Sequence, residues 1–314
     1  METNKPVPQQ PLKLGLIGLD TSHVTAFAGL LNDRDHPYHV PGGTIVAAYP
    51  GIASKDFRLS YNRIEQFTEE IRTQHGIAIE ESVEALAERC DAMFIESVDG
   101  RVHLDIFRRV APYGKPVFID KPFTLNSKDA EQIVAIANQY SVPVMSCSSL
   151  RYAEGLLEQL TPERQAAAGP IIGADCYGPM MIEQTQPGLF WYGIHSVEML
   201  YRIMGQGCIS ISAVSNEDHD LIIGRWKDGR IGTIRGNRSG NSKFGALIHR
   251  EQETDSVDVY ANPKPYYASM LERVIEMFHT RQSDIPSEET IEIIRFIERA
   301  NECRLSGNPG ERAL

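Results

Sequence analysis

Short apolar runs alternate with amphipathic segments through the first half of the chain. Leu12 to Leu19, Thr44 to Tyr49, Ile77 to Ile79, Asp91 to Glu96, Pro116 to Asp120 and Val142 to Ser146 read as buried strands. Between them, helical spacing recurs to about Asn32, over Tyr61 to His75 (Ile64, Phe67, Ile71), Ser82 to Arg89, Val102 to Ala111 and Ser127 to Tyr140. Asn126 or Ser127 would cap the last of these. Strands alternating with helices predict a parallel sheet covered on both faces.

The second half has another rhythm. Ile171 to Tyr177, Ile209 to Val214, Asp220 to Trp226, Ile231 to Asn237 and Ser256 to Tyr260 alternate like strands with no helices between most of them. Asp228-Gly229 is a hairpin signal. This pattern predicts an open, mostly antiparallel sheet. Helices over Tyr192 to Met204, Tyr266 to His279 and Ser287 to Ser306 are expected to flank it. The expected class is therefore α/β: a Rossmann domain with a doubly wound parallel sheet over 12–148, then an α/β domain over 149–314. Residues 1–11 are expected to be loosely ordered.

Composition narrows the function. The 314 residues carry 31 basic and 42 acidic side chains, a net charge of -11. That balance argues against nucleic acid and anionic membranes as partners. Five scattered cysteines argue for reduced thiols and a cytoplasmic location, not a disulfide framework. Residues 1–11 lack the apolar stretch of a signal peptide, and no apolar run is long enough to span a bilayer.

Lys121 draws attention first among candidate residues. It ends a buried strand, where open α/β sheets bind ligands, and Pro122 turns the chain away. The first strand ends in Gly18-Leu19-Asp20-Thr21-Ser22-His23, which keeps only the first glycine of a G-x-G-x-x-G dinucleotide turn. Asp20 stands where backbone would meet phosphate, which leaves two arrangements: Asp20 turns away and caps the helix, or Thr21, Ser22 and His23 supply the donors instead. The second strand ends without an acid, at Ala48-Tyr49-Pro50-Gly51, and Ser54, Lys55 and Arg58 follow. A hydroxyl and two cations suit a 2′-phosphate, so the cofactor reading is NAD or NADP with a lean to NADP. His23, Asp20, Asp99 and His103 fall at carboxyl ends of strands and could ligate zinc or manganese. Nothing in their spacing demands it, and no metal site is assigned.

These pieces together resemble the Gfo/Idh/MocA oxidoreductases over about Leu12 to Pro309. Asp120-Lys121-Pro122 is similar to the family's Glu-Lys-Pro, and Glu96-Ser97-Val98-Asp99 through His103 to its Thr-Pro-Asn segment with a later histidine. Ser149-Leu150-Arg151-Tyr152 resembles Asn-Arg-Arg-Phe, and Gly193-Ile194-His195-Ser196-Val197-Glu198 resembles Gly-x-His-x-x-Asp. Asp228-Gly229 through Gly232-Thr233 resembles the hairpin ending in Gly-Thr.

The resemblance implies NAD(P)-linked chemistry at a CH–OH group of a sugar, polyol or related compound, a cis Lys121-Pro122 bond, and a homodimer or tetramer. It makes Lys121 and His195 catalytic. It assigns Gly18, Asp20, Thr21, Ser22, His23, Ser97, Asp99, His103, Asp120 and Lys121 to the cofactor. Arg151, Tyr152, Trp191, Tyr192, Lys121 and His195 fall to the substrate; read by itself, the cluster Phe190-Trp191-Tyr192 is either core or a stacking platform for a sugar ring. One departure stands out: the family's aspartate four residues before the histidine is Trp191 here, and Glu183, Asp175 or Glu198 could fill its place. Two other readings stay open: NAD-dependent glycoside cleavage by transient oxidation and elimination, and a binding module without catalysis.

Overall fold

The computed structural model describes residues 10–306 and 312–314. Most of the expected loosely ordered segment, residues 1–9, lies outside those described. Six strands form the first sheet: β1 (Leu12–Ile17), β2 (Gly43–Tyr49), β3 (Ala78–Ile79), β4 (Ala92–Ile95), β5 (Val117–Ile119) and β6 (Val144–Met145). All pair in parallel, in the order β3-β2-β1-β4-β5-β6. β4 and β5 are buried along their whole length, as a sheet covered on both faces requires. The strand order reverses between β1 and β4, which opens a crevice at their carboxyl ends. Asn126 caps the Ser127–Tyr140 helix, its side chain accepting from the Asp129 N–H at 2.9 Å.

The second sheet holds β7 (Ile171–Pro179), β8 (Cys208–Ser215), β9 (His219–Trp226), β10 (Ile231–Asn237), β11 (Gly245–Arg250), β12 (Thr254–Asp258) and β13 (Arg312–Ala313). Its order is β12-β11-β7-β10-β9-β8-β13, antiparallel except for the parallel β7–β10 pair. The Gly193–Met204 helix packs on β7 and β10, and the Ser287–Ser306 helix on β8. The opposite face is open and presents Val214, Ile231 and Leu247.

Several features differ from expectation, among them the strand β13 and a helix over Pro162–Ala168, neither of which was expected. β11 forms a strand over 245–250 where none is expected. The Tyr266–Thr280 helix, expected beside the second sheet, packs on the first: Met270, Leu271, Val274, Ile275, Met277 and Phe278 share a core with Leu14, Leu16, Phe94 and Phe118. Its apolar stripe is the same in either place, so the pattern could not say which sheet it covers.

Candidate active site

The β1 turn is held by close backbone packing. Gly18 has φ +88°, and a Cβ there would lie 2.5 Å from the Ser97 nitrogen. On its other side runs Gly51, whose own Cβ would meet the Gly18 Cα at 3.4 Å. The Gly18 and Leu19 N–H groups donate to the Tyr49 and Pro50 carbonyls, both at 2.9 Å. Asp20 does turn away from the crevice, but it caps no helix. Its Oδ1 accepts from the Val98 N–H at 2.8 Å and its Oδ2 from the Ser60 hydroxyl at 2.5 Å. Burial pushes its carboxyl above the usual range, against the pull of Ser60 and Val98.

Residues 50–63 make this turn unusual. The stretch, which holds one helical turn at Arg58–Tyr61, is longer than the about two to six residues typical of such connections, and it runs as a strap across the crevice. Ser54 Oγ donates to Asp99 Oδ2 at 2.6 Å, and Arg101 bridges Asp56 and Asp99. Phe57 and Ser60 are buried, with the Phe57 ring edge-on to Trp191 at 5.6 Å. Asp99 also accepts from Gln186 Nε2 at 2.8 Å, a tie to the loop before the Gly193–Met204 helix. Although burial opposes it, these bonds hold the Asp99 carboxyl down at about 2.

Lys121 follows β5 and its bond to Pro122 is cis. Its ammonium lies over the Trp191 ring, 5.1 Å from the centroid, within cation–π range. Burial lowers its pKa, and nearby Asp120 opposes the shift. His195 faces it from the first turn of the Gly193–Met204 helix. Burial takes the imidazole well below its ordinary value, and the Lys121 charge adds to the effect. His195 Nδ1 and Ser148 Oγ are hydrogen-bonded at 2.6 Å. Lys121, His195, Thr21, Ser22, His23, Asp120, Trp191 and Tyr192 line one cavity of about 230 Å³, together with Arg63. Nη2 of Arg63 is buried without a hydrogen-bond partner among the described residues. At the bottom of the crevice, His23 Nδ1 is 2.7 Å from Asp120 Oδ2 and 3.8 Å from Glu96 Oε2.

Several sequence-based assignments need correction. Arg151 is buried and pairs with Glu198 and Glu289, and Tyr152 is buried with its hydroxyl donating to Asp284 at 2.8 Å. Neither lines the cavity. His103 lies in the core, its ring nitrogens facing the Phe123 and Ser97 carbonyls. Asp20 and Asp99 are occupied by protein partners. Of the suggested replacements for the missing aspartate, Glu198 is taken by Arg151, Asp175 by His249 and Thr233, and Glu183 bonds to Thr185. The side chain on His195 is Ser148, which sequence reasoning passed over, as it did Arg63 and Glu96 as site residues. For Arg63 the length of the 50–63 connection was the available signal. For Ser148, nothing local marks it.

The arrangement suits the two ends of a dinucleotide. Thr21, Ser22 and Arg63 offer donors and positive charge at the start of the His23–Asn32 helix, which fits a pyrophosphate. A second cavity of about 180 Å³, walled by Tyr49, Gly51, Ile52, Ser97 and Val102, lies where an adenosine would go. The strap covers the path between them.

Residues 53–147 match the Gfo/Idh/MocA model, described as an oxidoreductase family with an NAD-binding Rossmann fold. The match begins after the divergent glycine turn. No curated protein matches the chain. Among solved structures, a probable dehydrogenase from Thermotoga maritima is 15% identical, with TM-score 0.78 over 96% of this chain and 99% of that one. A putative myo-inositol dehydrogenase from Sinorhizobium meliloti 1021 is 13% identical, with TM-score 0.77 over 96% and 99%. Scyllo-inositol dehydrogenase from Lactobacillus casei, with bound NAD(H) and scyllo-inositol, is also 13% identical, with TM-score 0.77 over 97% and 99%. At such identities the likeness is one of fold. Through residues 53–147 the chain is similar to the Gfo/Idh/MocA oxidoreductase family, and over nearly its whole length it shares the fold of these dehydrogenases.

Proposed function

We propose that the protein is an NAD(P)-linked oxidoreductase acting on a CH–OH group of a sugar, polyol or related compound. The observation that carries this reading is the convergence of Lys121 and His195 on one cavity at the carboxyl edge of the first sheet. The inositol dehydrogenases with the same fold point to the same substrate class. When bound, the nicotinamide supplies or accepts the hydride. The chain's residues handle the proton and the charge. His195, kept neutral by burial, donates from Nδ1 to Ser148 and leaves Nε2 to take the hydroxyl proton. Lys121 polarises the oxygen and stabilises alkoxide charge. Trp191 shields the lysine from water and offers a face to the substrate ring.

Residues 12–148 would form the nucleotide-binding domain and 149–314 the substrate domain, with the Tyr266–Thr280 helix lent back to the first. Thr21, Ser22 and Arg63 would hold the pyrophosphate. Lys55 and Arg58 remain exposed on the strap for a 2′-phosphate, which keeps the lean to NADP. The open face bearing Val214, Ile231 and Leu247 supports a dimer or tetramer, to be read by light scattering. A cytoplasmic location is in keeping with five free, buried cysteines.

The test is thermal shift with NAD, NADH, NADP and NADPH, then turnover of a sugar and polyol panel at nicotinamide absorbance. The expected result is stabilisation by at least one nucleotide, turnover of at least one polyol, and loss of turnover in Lys121→Ala. No shift with any of the four would replace this reading by a binding module without redox activity.

A further inference from the structure

Glu96, just past β4, is fully buried, and neither of its carboxylate oxygens has a hydrogen-bond partner among the described residues. A carboxylate left this way is costly unless something pairs with it. What faces it is His23 Nδ1 at 3.8 Å from Oε2, and beyond that Asp120, whose Oδ2 lies 2.7 Å from the same nitrogen. One donor atom from each of the three residues falls within 4.8 Å of the others. Asp120 Oδ1 is already used by the Lys121 N–H at 2.7 Å, which leaves Oδ2 as the atom turned to the group.

We propose that His23, Glu96 and Asp120 form a site for a divalent first-row cation, zinc or manganese. Donor separations of 2.7 and 3.8 Å fit a common centre with bonds of about 2.0–2.2 Å. One imidazole and two carboxylates favour zinc or manganese over magnesium or calcium, which prefer all-oxygen cages. Glu96 and Asp120 directly follow the neighbouring strands β4 and β5, and His23 opens the helix after β1, so the sheet and that helix fix their spacing. His23 and Asp120 also line the 230 Å³ cavity, so open coordination positions would face it. Lys121 adds one positive charge nearby, but its ammonium bonds to neither Glu96 oxygen. The dehydrogenase reading requires no metal, and this site stands or falls without it.

The test is isothermal titration of chelator-stripped protein with ZnCl2 and MnCl2, in the absence of nucleotide, alongside metal analysis of protein purified without chelator. The expected result is one site per chain, saturable below 1 mM (an upper bound chosen as about the weakest specific affinity), with a rise in Tm. Glu96→Gln and Asp120→Asn should weaken binding at least about tenfold. Circular dichroism checks that these near-isosteric variants fold; should they not, His23→Gln carries the same test from a partly exposed position. No binding of either ion by the wild type would overturn the proposal, leaving Glu96 a buried acid that keeps its proton. Undiminished binding in the folded variants would overturn it equally.

Discussion

Ser148 Oγ lies 2.6 Å from Nδ1 of His195, the contact for which the family resemblance leads one to expect a carboxylate at the position of Trp191. A hydroxyl fixes a ring's orientation but offers no negative charge to stabilise an imidazolium. Ser148 is thus a positioning residue. Ser148→Ala is expected to lower kcat about tenfold to a hundredfold, in the range of general-base effects, with KM little changed. The acid limb of its pH profile should move as well. An unmoved profile with unchanged kcat would remove Ser148 from the machinery.

The pH dependence follows from two displaced groups. His195 must be neutral to accept a proton, and burial lowers its pKa well below 6.5, so activity should persist on the acid side of that value. Lys121 must be charged, and its pKa lies below 10.5, so the alkaline limb should appear before that value is reached. The profile of kcat/KM reports both limbs on the free enzyme. An acid limb above pH 6.5 would contradict the assignment of His195 as base.

Arg151 is placed to act on stability, since it is buried and does not line the cavity. It is buried between Glu198 and Glu289, so Arg151→Ala leaves two buried carboxylates without their cation. The expected cost is about 3–5 kcal/mol in urea unfolding. KM of the protein that remains folded should not change. A large KM effect at unchanged stability would return Arg151 to the substrate.

The strap should govern nucleotide exchange. Phe57→Ala removes the ring that wedges residues 50–63 against Trp191. Stopped-flow nucleotide fluorescence should then show faster association and faster release, by roughly an order of magnitude, as expected when a covering loop loses its latch. Rates equal to the wild type would mean that the dinucleotide does not pass under the strap.

The strands of the first sheet were legible because each is a short, mainly apolar run between amphipathic segments, and the position of Lys121 followed from them. His195 needed the family resemblance, since a histidine near a helix start has no distinctive pattern. Arg151 was misread because its second carboxylate partner, Glu289, lies far along the chain, and only the tertiary structure shows that the guanidinium is enclosed. Asp20 was assigned to the cofactor or to a helix cap and takes neither place; its partner Ser60 sits on the strap, whose path no periodicity reports. β11 escaped notice because it is short and ends in His249-Arg250, which read as surface.

The Tyr266–Thr280 helix completes the core beneath β1 and β4 with residues made late in the chain. During synthesis, the amino-terminal half therefore emerges with one face of its sheet covered only in part, by the His23–Asn32 and Ile64–Thr73 helices, and it stays so until residue 280 has left the ribosome. Domains ordinarily fold as units in order of synthesis. Here the first sheet has to wait for the second to be made. A fragment ending at residue 148 would lack the rest of that cover, leave Leu14, Leu16, Phe94 and Phe118 less enclosed, and should be prone to aggregate.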